Sequence, residues 1–373
     1  MVSLGSRNLF HDKVRLVATI TGIVFAIVLI AVQLGLFIGF ARSTSGVIDH
    51  SGADFWICSK GVPFFEMGVP FSERKRFEAL AQPGVAAVQK TVVRLVNWKR
   101  PDGAEQAILV VGFDLDSGFG GPWNLVAGDA RSLKLPDSVI IDQLYGAKLG
   151  IHAIGGIAEI GGRRARVAGF TRGIRSFTTS PYVFTSFKNA LKYAQIGDDK
   201  AVYLLVRAQP GADLQAVKHS LAANLSNVDV YTTQEFSRKT QSYWMFTTGA
   251  GISLLIAALL GVVVGVVVVS QTIYASTVDH IREFGTLKAI GASNRYIYRV
   301  LAHQAAIAAS IGFAAGISIS WAVVYCSRDS GVAILLPWQL AAGIGVLAFA
   351  MCLGASAVSI NRVMHIDPAI VFK

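Results

Sequence analysis

Four stretches of this chain are long, apolar and free of charge, and they decide what it can fold into. The first fills residues 16–41 between Arg15 and Arg42, 26 uncharged residues, or about 39 Å of helix against about 30 Å of hydrocarbon. It can cross a bilayer with room to tilt. The second lies within the uncharged run 240–278, and the third and fourth occupy 300–326 and about 338–360. Each is long enough to span. A cleavable signal peptide has an apolar core of only about 7 to 15 residues, so the first stretch reads as an uncleaved anchor although Arg7, Lys13 and Arg15 precede it. With 53% hydrophobic and 15% charged residues, a wholly soluble protein is excluded.

Charge sets the orientation. The net +11 would suit nucleic acid only if the excess lay on one soluble face, and it does not: residues 42–244 carry 24 basic and 18 acidic side chains. The short flanks are more telling. Arg7, Lys13 and Arg15 precede the first span, Arg282, Lys288, Arg295 and Arg299 lie between the second and third, and Arg362 and Lys373 follow the fourth. The third-to-fourth hairpin has only Arg328. Positive flanks stay inside, which predicts a cytoplasmic segment 1–15, span 16–41, an outer domain 42–240, a second span with an outer stalk at 241–275, and a cytoplasmic loop 276–299. Span 300–326, a short outer hairpin 327–337, span 338–360 and a cytoplasmic tail 361–373 follow. Both termini are thus expected to be cytoplasmic and the large domain extracytoplasmic.

Inside the spans the main polar residues are Gln33, Ser270, Gln271, His303 and Gln304, with no Asp, Glu, Lys or Arg, so a transporter with a charged midplane site is disfavoured. Gly35 and Gly39, Gly261 and Gly265, and Gly312 and Gly316 recur four apart and are candidate helix-packing positions, where small residues let backbones approach. Of the three cysteines, Cys58 falls in the outer domain, Cys326 at the end of a span and Cys352 within one. A Cys58 to Cys326 bridge is open, and buried or unpaired thiols are the plainer reading.

Between the first two spans, short β-rich runs alternate with amphipathic stretches, an α+β domain in two lobes. Strands are expected at 55–58, 85–98, 106–113, 139–141, 157–160, 166–170, 182–185, 202–206 and 228–231. Pro101, Asp102 and Gly103 mark a hairpin. Helices are expected from Ser72, as cap, through Gln82, and over 212–225. No catalytic constellation emerges. His50, His152, His219 and Cys58 lack metal-ligand spacing, and Asp114 and Asp116 beside Gly118, Gly120, Gly121 and Pro122 decorate a loop. Arg163, Arg164, Arg166, Arg172 and Arg175 form a candidate patch for anionic lipid or an acidic partner, with a solvated strand face as the competing reading.

The most informative stretch is 277–298, TVDHIREFGTLKAIGASNRYIY. Val278, Ile281, Phe284, Leu287 and Ile290 recur every three residues, Gly291 supplies a stop and Ser293 a cap for the helix entering the third span. Residues 281–293, IREFGTLKAIGAS, resemble the cytoplasmic motif of permeases of the MacB, LolC and FtsX family, which commonly reads R-E-I-G-x-x-K-A-x-G-A. The tail RVMHIDPAIVFK is similar to the family's closing pattern. The order of one span, a large outer domain and three spans is also the family's layout. Segments 3–16, 70–88 and 97–114 resemble the DevC-like exporter branch. Gln304 departs from the family pattern, which has a Glu near the head of the third span.

The resemblance implies an α-helical protein of a bacterial cytoplasmic (inner) membrane, multi-pass, with four transmembrane helices and a large, two-lobed, MacB-like α+β extracytoplasmic domain. It implies a non-catalytic permease subunit of an ABC-type exporter whose ATPase is another polypeptide, with ATP and Mg on that partner and no cofactor in this chain. No G-x-x-x-x-G-K-[ST] phosphate loop occurs in the sequence. Expected partners are that ATPase, a second permease copy in a homodimer, a membrane-fusion adaptor with an outer-membrane channel, and membrane lipids, without nucleic acid. The ATPase would dock on Val278, Ile281, Arg282, Glu283, Phe284, Gly285, Leu287, Lys288, Ile290 and Gly291, driving export or extraction of a lipid-like substrate. The alternative is an FtsX-like signalling permease that activates a cell-wall hydrolase without transport.

Overall fold

The computed structural model describes residues 13–176, 180–279, 286 and 293–364. In chain order the elements are α1 (Lys13–Asp49), β1 (Phe55–Ser59), β2 (Phe71–Ser72), α2 (Lys75–Leu80), β3 (Val85–Lys99), β4 (Glu105–Phe113), β5 (Leu125–Gly128), β6 (Ser138–Asp142), α3 (Gly146–Leu149) and β7 (Ile157–Ile160). There follow β8 (Arg163–Thr171), β9 (Tyr182–Ser186), α4 (Phe187–Ala194), β10 (Lys200–Ala201), β11 (Tyr203–Ala208), α5 (Leu214–Asn224), β12 (Val228–Thr232) and α6 (Thr233–Ser242). The long helices α7 (Ala250–Asp279), α8 (Asn294–Cys326) and α9 (Trp338–Met364) complete the described chain. Two compact units emerge: the described parts of Met1–Ile38, Ile252–Arg328 and Ile334–Lys373, and a second built from Gly39–Gly251 with Asp329–Ala333.

The first unit is helical. Four helices are long and apolar enough to cross a membrane, over Leu16–Asp49, Ala250–Thr272, Tyr298–Cys326 and Trp338–Ser356. Ile23, Ile27 and Ile30, one stripe of α1, are buried against Ala305, Ala308 and Ala309 of α8 and Ile344 and Ala348 of α9. Ile256, Leu259, Leu260, Val263 and Val267 of α7 are exposed, and a helix that shows such residues on its free face belongs in lipid rather than water.

The second unit is the α+β domain. Strands β12, β1, β11 and the first half of β3 lie side by side, all antiparallel. With α2 following β1 and α5 joining β11 to β12, this is the split β-α-β-β-α-β arrangement. Its core is aromatic: Trp56, Phe65, Tyr203 and Phe236 are buried with ring centroids 5.4–5.9 Å apart, a spacing at which edge-to-face and tilted pairs attract.

Strand β3 belongs to both lobes. Val85 to Thr91 pair with β11, and Val92 to Lys99 pair with β4. From there the pairing runs β4–β9–β6–β8–β7 and returns to β3 at Trp98 and Lys99, a closed ring of six strands, with β5 added on β8. Closure removes the unpaired edges of an open sheet. Val110, Ile140, Val167 and Val183 are wholly buried, and the indole of Trp98 donates to Leu149 O at 3.0 Å.

Three local expectations change. Helix α1 runs to Asp49, past residue 41, because Val47 and Ile48 are buried in the outer core and Ser43 and Thr44 return their hydroxyls to Phe40 O and Ala41 O. Ser72 is not the cap residue: it pairs with Lys200 in β2, its Oγ accepts from Arg74 N at 3.4 Å, and α2 begins at Lys75 without a side-chain bond from its cap residue Arg74. The outer stalk of the second span is not one helix. After α6 comes a π-helical turn, Tyr243–Thr247, and then Gly249 at φ +77°.

Candidate functional site

Of the expected ATPase-docking residues, Val278 is described, half-buried in the last turn of α7. Ile281, Arg282, Glu283, Phe284, Gly285, Leu287, Lys288, Ile290 and Gly291 lie outside the described residues. Thr286 is helical and exposed. Ser293 occupies the cap position of α8 in extended conformation but makes no side-chain cap bond; its carbonyl accepts from Tyr296 N at 2.9 Å.

The outer unit gathers the ends of three spans into a collar. From α6, Gln241 Nε2 donates to Ser45 Oγ of α1 at 2.8 Å, and Ser45 Oγ donates to Asp49 Oδ2 at 2.7 Å. One turn earlier, Phe236 sits in the aromatic core, and Thr240 Oγ1 accepts the N–H of Phe65 at 3.3 Å. The base of α6 is locked by a capping box, Thr232 with Glu235, and by Lys218 Nζ on the Glu235 carboxylate at 2.6 Å. Such a box satisfies two of the N–H groups that a helix start leaves free. The third contributor is the hairpin 329–333. A Cβ on Gly39 would fall 1.8 Å from Ala333 O, so α1 is notched there to admit the hairpin backbone, and Arg175 Nη1 donates to Val332 O at 3.4 Å.

Below the aromatic core, Phe64 stacks on Tyr243 at 4.0 Å and meets Trp244 edge-on. Trp244 Nε1 donates to Glu66 Oε2 at 3.2 Å. Burial pushes the Glu66 carboxyl up to about 7, against the lowering effect of that hydrogen bond. The group adjoins the π-helical turn, a distortion that tends to mark functional places in helices. Sequence reasoning missed Glu66, because nothing near it in the chain signals that residue 244 lies over it.

The glycine pairs face neighbours of two kinds. In the helical unit, a Cβ on Gly312 or Gly316 would meet Ile23 or Ile27 of α1 at 2.5 and 2.8 Å, and Gly261 and Gly265 face Leu29, Ile30 and Ala26 of the same helix. Gly35 differs from the expected helix-to-helix contact. It faces the extended segment beside Ile334 and Leu335, and its carbonyl accepts from Leu335 N at 3.0 Å.

The five arginines of the expected patch do not converge. Arg163, Arg164 and Arg166 are exposed at the start of β8, Arg164 opposite Glu159. Arg172 lies past the far end of that strand, about 20 Å from Arg166 and about 30 Å from Arg163 at about 3.3 Å per residue. Arg175 is turned to the hairpin. Cys58 and Cys326 are free thiols, and burial pushes the Cys58 thiol up to about 12. Among the described residues no group of three or more His, Cys, Asp or Glu could hold a metal ion.

Helices able to cross a bilayer four times, with a two-lobed α+β domain between the first and second, define a multi-pass membrane protein with a large outer domain. The MacB-like periplasmic core domain family matches residues 16–224, and the FtsX-like permease C-terminal family matches residues 240–368. The chain belongs to the MacB/FtsX-type permeases of ABC transporters. It is 27% identical over 383 residues to an uncharacterized ABC transporter permease of Mycobacterium tuberculosis (strain H37Rv), covering 100% of this chain and 99% of that one. It is 24% identical over 382 residues, with the same coverage, to one of Mycobacterium bovis. Similar solved structures include the periplasmic region of MacB from Actinobacillus actinomycetemcomitans, with 10% identity, TM-score 0.39, and 50% of this chain and 92% of that one covered. Another is the extracellular domain of the noncanonic ABC-type transporter YknZ from Gram-positive bacteria, with 15% identity, TM-score 0.36, and coverage of 48% and 98%.

Proposed function

We propose that this permease carries force. Two copies pair, each seats a separate ATPase subunit on segment 281–291, and ATP-driven closure of the ATPases moves the spans and through them the outer domain. The movement drives export or extraction of a lipid-like substrate together with an adaptor, as in the DevC-like branch. The observation that carries the reading is the collar. Helix α6 is hydrogen-bonded to α1 through Gln241 and wedged into the core of one lobe through Phe236 and Thr240. A displacement of α1, one helix from Lys13 to Asp49, is therefore delivered to the lobe and to α6 rather than absorbed in a loose linker. Such a device shifts only if the ATPase binds the two permease states unequally.

The test is ATP hydrolysis by the copurified complex. Charge reversal at Arg282 or Glu283 is expected to abolish permease-stimulated hydrolysis while membrane insertion is unchanged, and Gln241→Ala to leave hydrolysis intact but uncouple substrate release. Full stimulation in both charge-reversal variants would overturn the docking assignment.

A further inference from the structure

The two lobes of the outer domain meet over the loop that follows β4, and two cavities of about 370 and 340 Å³ open there. They share Phe113, Asp114, Leu115 and Lys134 as common wall. The first is lined by Arg131 and Arg207 as well as Lys134, the second by Arg76, Lys90 and Lys188, so that six cations face two carboxylates, Asp114 and Asp116. Lys90 is already paired with Glu73 and Lys134 with Asp116. Among the described residues, Arg76, Arg131, Lys188 and Arg207 have no carboxylate within ion-pair distance. Uncompensated like charge in a concave, low-dielectric site raises the local potential and draws in anions.

The first cavity is also built for more than a point charge. Arg207 is fixed in orientation, with Nε and Nη2 donating to Gly52 O at 3.2 and 3.0 Å and the Phe119 ring 4.4 Å from the guanidinium. Trp123 stacks on His50 at 4.3 Å, giving an aromatic wall. At the glycine loop, Gln89 is wholly buried; its Oε1 accepts from Ser117 Oγ at 2.6 Å while Nε2 has no partner. That nitrogen is 3.1 Å from where a Cβ on Gly120 would stand. Buried donors are normally satisfied. Gln89 does not line the cavity, so its amide supports the glycine loop from behind and the preference for an anion rests on Arg131 and Arg207.

We propose that this cleft binds a phosphate ester bearing an apolar or ring-shaped moiety. The phosphate lies between Arg131 and Arg207 of the first cavity, which suit its oxygens through charge-assisted hydrogen bonds, and the remainder rests on Phe119 and Trp123. The donor of that chemistry is either a phospholipid headgroup or a soluble phosphate ester. The assignment deepens the lipid-handling part of the reading above and rests on it for the choice of probe, but binding requires neither ATP nor an ATPase. A failure of the hydrolysis test thus leaves it standing, and its own failure leaves the docking assignment standing.

The experiment is calorimetric titration of the full-length chain in phosphatidylcholine nanodiscs, with empty discs as blank. Probes are monomeric dihexanoyl phosphatidylglycerol, dihexanoyl phosphatidylcholine and glycerol 3-phosphate. One site per chain for the anionic lipid, at least tenfold weaker binding of the choline lipid, and weakening with added salt are expected. The Arg131→Ala, Lys134→Ala double variant removes two exposed charges from the wall of the first cavity and should lower affinity at least tenfold with an unchanged melting midpoint. The Arg163→Ala, Arg164→Ala variant loses the same charge from β8 and should bind like the parent. Glycerol 3-phosphate binding as tightly as the anionic lipid assigns the site to a soluble ester; much weaker binding assigns it to lipid. Absence of saturable binding by both anions, equal binding of the choline lipid, or equal losses in the two double variants would overturn the proposal.

Discussion

Glu66 is a carboxyl placed where ionisation is disfavoured, under Trp244 and beside the π-helical turn that leads to the second span. Burial holds its pKa at about 7, against an ordinary value of 4.5. A raised carboxyl stabilises the fold only while it is protonated. Its contribution is complete below about 4.5 and is lost as pH rises through about 7, a swing of about 3 kcal/mol at roughly 1.4 kcal/mol per unit. The melting midpoint of the full chain is therefore expected to fall between pH 5 and pH 8. Glu66→Gln keeps an oxygen to accept the Trp244 N–H and carries no charge, so its midpoint should stay flat over that range and exceed the parent's at pH 8. A parent midpoint that does not fall over this range would show that Glu66 is solvated and that its neighbours do not govern it.

At the level of elements, the break between α6 and α7 rests on backbone conformation. Gly249 has φ +77°, and nothing lies within 4 Å of the place a Cβ would occupy. Sterics with neighbours are thus absent, and only the left-handed backbone penalises other residues, by about 1–2 kcal/mol. Asn tolerates that region best among non-glycine residues. Thermal unfolding should accordingly rank Gly249→Asn as mildest, Gly249→Ala next and Gly249→Val worst; a ranking by side-chain size, with Ala mildest, would mean that the position is crowded. The same junction shows what could be read from the chain. Spans were legible because a charge-free run of 20 or more residues has one outcome, and strands such as β4 and β7 because their apolar runs are bounded by turn residues. Helix α4 was legible and overlooked: Ser186 accepts from Asn189 N, and Phe187, Ala190 and Leu191 keep helical spacing. The break inside the expected stalk was not legible, because the composition of 241–249 does not reveal a π-helical turn. The cationic cleft was out of reach, since its walls come from residues as distant in sequence as His50, Lys90, Arg131 and Arg207, and only pairing between lobes brings them together.

For the whole molecule, everything proposed depends on the outer domain and segment 281–291 facing opposite sides of one membrane. The chain carries its own reporter. Cys326 is an exposed free thiol at the end of α8, while Cys58 and Cys352 are buried. The orientation proposed from the short positive flanks puts that end of α8 on the side of the outer domain, so a membrane-impermeant maleimide applied to spheroplasts should label the parent and fail to label Cys326→Ser. In that silent background, Arg163→Cys, on an exposed position of β8, should react at once, and Thr286→Cys, exposed in the loop between α7 and α8, only after the membrane is opened. Both substitutions sit where side chains meet solvent, so neither result can be blamed on burial. Immediate labelling at Thr286→Cys would put the segment meant for an ATPase on the side where there is no ATP, and a force-carrying permease would then have nothing to drive it.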